Sequence, residues 1–152
     1  MEKKQRTLNN KGFSLIELIV VIAIMAILVG VLAPNVMRYV RQSRVSADTQ
    51  LADTIRTAVV TALADPDVQD APASSTTFNL MAANAFTSNA GFGAAIATNL
   101  GFASVADIAD IADEAKSMTP TAINVTVDGS MNVTVTITDG TNPITVPAPT
   151  TP

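Results

Sequence analysis

The sequence predicts an α+β protein, with a long, kinked N-terminal α-helix packed on a small head of short helices and a three-stranded antiparallel β-meander. Three observations predict it. An almost uninterrupted apolar run fills residues 13–33, a helical pattern follows it as far as Asp65-Pro66, and from Ile123 onward the apolar period switches to two. The chain has 152 residues, room for one modest domain plus a long appended element.

The first element is the apolar run. As a helix, residues 13–33 would be about 30 Å long, enough to cross the hydrocarbon core of a bilayer. Lys3, Lys4, Arg6 and Lys11 precede it, opposed only by Glu2, and Arg38, Arg41 and Arg44 follow it. The short basic flank keeps the N-terminus cytoplasmic and sends the rest across. A cleaved secretory signal is the alternative, but the run exceeds an ordinary signal core. Its small-residue stretch at Val31-Leu32-Ala33 also meets Pro34, a poor place for a signal peptidase to cut. One residue breaks the apolar character. Glu17 is a carboxylate among aliphatic neighbours, where an ion costs about 2.5–3.5 kcal/mol at the centre of a membrane helix and less near its end. Its place close to the helix start, where the dipole favours an anion, and snorkelling to the interface would each ease that cost.

The helical pattern continues past the membrane-length segment. Val36, Val40, Ala47, Leu51, Ile55, Val59 and Leu63 recur at steps of four, with Arg38, Arg41, Arg44, Asp48, Asp53 and Arg56 over the remaining surface. With the apolar run this makes one helix of about 50 residues, near 75 Å long. Pro34 inside it removes a backbone hydrogen bond, and Gly30 adds local freedom, so a kink is expected there. The lower half of the stripe is expected to meet other copies of the chain and the upper half to dock on the head. The three arginines read most simply as a solvated face, with pairing to acidic head groups of another subunit as the alternative.

The head starts as a loop over residues 65–77. Asp65, Asp67 and Asp70 lack the glycine and closing glutamate of a calcium loop and read as solvated acids. Residues 78–86 and 93–100 are alanine-rich and predict short helices. Ser104 reads as the N-cap of a helix reaching Ser117, with Val105, Ile108, Ile111, Ala112 and Ala115 inward and Asp107, Asp110, Asp113 and Glu114 toward water. Ile123, Val125 and Val127 then alternate with Asn124, Thr126 and Asp128, and Asp128-Gly129 makes a turn. Met131, Val133, Val135 and Ile137 form the second strand, ending at Asp139-Gly140. Residues 144–146, framed by Pro143 and Pro147, form a short edge strand. The 147–152 tail is expected to be exposed. Asn124-Val125-Thr126 and Asn132-Val133-Thr134 match the glycosylation sequon, both placed on strands.

Composition excludes whole classes of function. There is no cysteine and no histidine, so disulfides, thiolate metal sites and the commonest general base are absent. No glycine-rich phosphate loop and no recognisable pair of catalytic carboxylates occurs. No catalytic residue, metal ligand or cofactor is therefore assigned, and the acidic distal half offers no nucleic-acid footprint.

The stretch Lys11-Gly12-Phe13-Ser14-Leu15-Ile16-Glu17-Leu18 resembles the prepilin processing motif of type IV pilins and their relatives. The resemblance is close from Lys11 to Pro34 and generic beyond. It implies a pilin-like fold, a leader peptide over residues 1–12, a long helix over 13–64 with its membrane and filament-core part at 13–33, and a globular head over 65–152. It implies cleavage between Gly12 and Phe13 by a membrane aspartic peptidase, N-methylation of Phe13 by the same enzyme, and an assembly role for Glu17 with Phe13. Pro34 matches the proline at which the family's helix melts on assembly. The missing cysteine pair departs from the family's common disulfide-looped head.

The function so implied is a structural pilus subunit and not an enzyme. A single-pass plasma-membrane precursor, with its N-terminus cytoplasmic and its head outside, would polymerise into an extracellular filament. Its partners would be membrane lipid before assembly, the prepilin peptidase, the assembly machinery and other copies of itself. A pseudopilin of a secretion or DNA-uptake system is the alternative within the family. A membrane-anchored surface-binding protein is the alternative outside it.

Overall fold

The computed structural model describes residues 12–72 and 75–146. The basic stretch before Gly12 and the 147–152 tail lie outside the described residues. The elements are α1 (Leu15–Ala64), β1 (Thr76–Asn79), α2 (Ala90–Leu100), a 3-10 helix (Val105–Glu114), β2 (Ala122–Val127), β3 (Val133–Thr138) and β4 (Ile144–Val146). This is the α+β pilin-like architecture that the sequence predicts. The chain divides into two units, Met1–Val40 and Arg41–Pro152, and α1 belongs to both.

In the first unit α1 contains an 18-residue stretch with a mean hydropathy of 3.1, none of it buried. Pro34 lies inside the helix. A helix apolar on all sides has no face for water and needs lipid or protein around it.

In the second unit α1 supplies one wall of the core. Asp48, Ala52, Ile55, Val59 and Ala62 are buried, a spacing of four, three, four, three. Of the predicted stripe, Ile55 and Val59 are buried and Leu51 and Leu63 are half-buried against the core, Ala47 is half-buried, and Val36 and Val40, expected to meet other copies, are exposed. A strict step of four overshoots the 3.6-residue turn and winds off the buried face, which alternating steps of three and four follow. On the opposite side Thr49, Thr54, Thr57 and Thr61 turn their hydroxyls back onto carbonyls four residues earlier.

The sheet has four antiparallel strands in the order β1-β2-β3-β4, one more than predicted. Thr76–Asn79 pairs with β2, so the helix expected from residue 78 begins instead as a strand followed by turns. The reason is local alternation. Phe78 and Leu80 point into the core while Thr77 and Asn79 point out, and the Asn79 side chain accepts the Met81 N–H at 3.1 Å to end the strand. The period-two reading holds for Ile123, Val125, Val127, Val133, Val135 and Ile137, all buried, but Met131, expected to open the second strand, is exposed and precedes it. Phe78, Val125, Val135 and Val146 form one row across all four strands.

Both predicted turns are built by their aspartates. Asp128 accepts the N–H groups of Ser130 and Asn132, each at 2.8 Å, and Met131 adopts φ 61° within that turn. Asp139 accepts those of Thr141 and Asn142, and Gly140 takes φ 93°, which glycine tolerates without strain. Asn132 thus lies in an exposed turn before β3 and not on a strand, whereas Asn124 sits in mid-β2.

Three phenylalanines fill the space between sheet and helices. Phe78 and Phe86 stack with ring centroids 5.0 Å apart, and Phe92 packs against both at 5.8 and 6.2 Å. Each such buried ring contributes about 1.5–3 kcal/mol through its area alone. Gly93 permits this packing, because a Cβ there would lie 2.7 Å from the Cβ and Cγ of Phe86. Helix α2 ends in a Schellman turn: Phe102 N–H reaches the Ala97 carbonyl at 2.8 Å and Gly101, at φ 84°, donates to Thr98. Asn99 ties α2 to α1 by donating to the Ala58 carbonyl at 3.0 Å.

Candidate functional site

The residues with functional promise lie at the start of α1. Gly12 and Phe13 precede the helix, and Phe13 is 96% exposed. Ser14 is the residue before the first helical position, and Glu17 lies in the first turn. Glu17 Oε2 accepts the backbone N–H of Ser14 at 2.8 Å, and the Leu18 N–H reaches the Ser14 carbonyl at 3.3 Å. This is the reach-back half of a capping box: the glutamate satisfies an amide that the helix leaves without a partner. The Ser-x-x-Glu spacing is the local sequence signal of this cap.

The box anchors one side of the carboxylate and leaves the other open. An ionised carboxylate has about four acceptor positions, and among the described residues only the Ser14 amide uses one. Leu15, Ile16, Leu18, Ile19, Val20 and Val21 surround Glu17 and are all exposed. The arrangement is a partly satisfied anion on a helix end whose entire surface is apolar. Its chemical competence is to receive a cation, most effectively where water is excluded. Phe13 and Glu17 share this end of α1. Gly30 and Pro34 lie several turns further along, and a Cβ on Gly30 would meet no atom within 4 Å.

Two acidic residues, Asp48 of α1 and Asp70 of the head, occupy places the sequence did not suggest. Asp48, predicted on the polar side of α1, has no exposed surface. Its Oδ1 accepts the Lys116 N–H at 2.6 Å; its Oδ2 accepts the Ser117 N–H at 2.9 Å and the Ser117 hydroxyl. Asp70, predicted as a solvated loop acid, caps α2 from outside it by accepting the N–H groups of Gly91 and Phe92, each at 2.7 Å. The Asn89 side chain donates to the Asp70 carbonyl and completes the clasp. Asp107 accepts the Ser104 hydroxyl at 2.9 Å, so Ser104 contacts a side chain and not the helix backbone that an N-cap would serve. The helix it opens is 3-10 and stops at Glu114, short of the predicted Ser117.

An exposed apolar helix opened by a capped glutamate, followed by an α+β head, fits a protein held in a membrane through its N-terminal segment. The family signature described as the prokaryotic N-terminal methylation motif matches residues 7–33. Among curated proteins, the type IV major fimbrial protein FimA of Dichelobacter nodosus is 40% identical over 74 residues. That match covers 48% of this chain and 47% of the relative, so the chain spans about half the length of the curated relative it matches. No solved structure matches the chain significantly. Both similarities point to the type IV pilin and prepilin-like proteins.

Proposed function

We propose that this protein is the structural subunit of a type IV pilus, made as a membrane-anchored precursor and polymerised through α1 into an extracellular filament. Residues 1–12 are the leader, 13–64 the helix and 65–152 the head. Hydrolysis of the Gly12–Phe13 bond by a prepilin peptidase frees the Phe13 amine, which is then N-methylated and remains cationic. The apolar segment 13–33 holds the precursor in the plasma membrane, N-terminus inside and head outside, before it becomes filament core. The description of the relative as a major fimbrial protein supports a pilus over a secretion-type pseudofilament.

Glu17 carries the reading. Its carboxylate is fixed by the Ser14 amide and keeps acceptor capacity among exposed aliphatic side chains. In a low-dielectric setting an opposite charge at about 4 Å is attracted many times more strongly than in water. The Phe13 amine of an entering copy supplies that charge. The exchange draws the helix out of lipid and sets the axial register of one copy on the next. Gly30 and Pro34 give the helix the local freedom to adjust as it is enclosed.

The test is Glu17→Val in cells that carry the assembly machinery. N-terminal mass spectrometry should still find chains beginning at methylated Phe13, while electron microscopy of sheared surface material finds no filaments. A mature chain beginning elsewhere, or normal filament yield from the variant, rules the mechanism out.

A further inference from the structure

Two sets of charged side chains in this protein have no ion-pair partner among the described residues. Arg38, Arg41 and Arg44 are exposed on α1, amid exposed Val36, Met37, Tyr39, Val40 and Val45. None of the three is in an ion pair: among the described residues the ion pair is Arg56 Nε with Asp53 Oδ1, at 3.5 Å. The second set lies on the 3-10 helix. Asp110 and Asp113 are exposed and accept no hydrogen bond, and half-exposed Asp107 accepts only the Ser104 hydroxyl.

The helix type turns these carboxylates into a row. In a 3-10 helix three residues complete a turn, so residues three apart stand directly above one another. Asp107, Asp110 and Asp113 therefore line one edge while Ile108 and Ile111, one position on, line the buried edge. In an α-helix each step of three would rotate by about 60°, and the acids would fan out. The row rises about 6 Å per step, whereas successive arginines rise about 4.5 Å and turn by about 60° along α1, so that Arg41 and Arg44 share a side that Arg38 leaves. The long guanidinium stems span that difference. Beyond Arg44 the only cations are Arg56 and Lys116, so neighbouring heads repel unless positive charge is brought between them.

We propose that the Arg41–Arg44 face of one copy docks on the Asp107–Asp110–Asp113 edge of a second copy in the filament. The inference rests on the filament reading above and adds its lateral contact. The argument for a second copy is charge complementarity. Each chain presents both sets, guanidinium and carboxylate pair in forked geometry, and a head-to-tail contact that does not close on itself propagates as a helix.

The test is a charge swap with the full chain in cells that carry the assembly machinery. Arg41→Glu with Arg44→Glu, and separately Asp110→Arg with Asp113→Arg, should each lower sheared-filament yield by about tenfold or more, since like charges then meet across the contact. All four changes in one chain should restore filaments. Immunoblots of the membrane fraction confirm that each variant accumulates. Independently of any reversal, Arg41→Cys with Asp110→Cys should give disulfide-linked oligomers in oxidised filaments, because the chain has no other cysteine. Loss with the arginine reversal alone would assign that face to anionic lipid headgroups and overturn the proposal. So would normal filaments from both reversals, no rescue by the fourfold change, or no cross-link. Absence of filaments from the unaltered chain would overturn the filament reading itself, and this contact with it.

Discussion

Asp48 and Ser117, 69 residues apart in the chain, are joined twice: one carboxylate oxygen of Asp48 accepts both the backbone N–H and the hydroxyl of Ser117. The other oxygen holds the Lys116 N–H. A fully buried anion is thus satisfied by donors without a cation, and it pins the segment leaving the 3-10 helix onto α1. The link also fixes where β2 can begin, since the connecting segment between Ser117 and Ala122 is short.

Removing that carboxylate should loosen the head. Asp48→Ala leaves two backbone amides and a hydroxyl without acceptors in a buried place, a loss of about 2–4 kcal/mol. Asp48→Asn should cost less but still be felt, because its NH2 faces a donor in place of an acceptor. Urea denaturation of the detergent-purified chain reads both. An unchanged midpoint for Asp48→Ala would show that the clasp contributes nothing.

Gly93 should not accept even one added methyl group. The Cβ of Gly93→Ala would lie 2.7 Å from Phe86, whose ring is held against Phe78 and Phe92. Overpacking of this kind costs about 1–3 kcal/mol. The variant should unfold earlier in urea and show altered phenylalanine side-chain resonances.

The cap on α2 predicts a local effect and not a global one. Asp70→Ala removes acceptors for Gly91 and Phe92 and should weaken the helix by about 1 kcal/mol. Hydrogen exchange should quicken at the first turn of α2 while β2 and β3 keep their protection.

Acid should reach the hairpin turns only at low pH. Hydrogen bonds from the side chain and N–H of Asn132 hold the Asp128 carboxyl below its ordinary value of 3.8, and those from Asn142 and Thr141 do the same for Asp139. A depressed folded value means that the stabilisation is present above the unfolded value and fades as pH falls through the folded one. The turns should therefore keep their order at neutral pH and lose it only below about pH 4, where unfolded aspartates also protonate. Titration followed by amide resonances of Ser130 and Thr141 would check this. Asp128→Ala with Asp139→Ala should abolish the acid-dependent part.

Much of the molecule was legible in one dimension because its signals are local. The apolar run, the glutamate within it and Pro34 are properties of a continuous segment, and strand alternation in β2 and β3 needs only a period of two. The capping box belongs here too, since Ser14 and Glu17 are three apart. What the sequence by itself determined is therefore the long apolar helix, its carboxylate and the character of each strong element.

The tertiary structure decided the rest, through contacts between residues far apart. Asp48 looks like a surface residue until donors from Lys116 and Ser117 converge on it, and Asp70 looks solvated until the first turn of α2 arrives. Residues 76–79 become a strand because β2 offers an edge to pair with, and pairing outweighs the weak helical preference of the segment that follows. The helix after Ser104 takes the 3-10 form, which brings its aspartates into line. A buried polar group or an edge strand depends on partners that only folding brings within hydrogen-bonding distance, and no local pattern records where they will be.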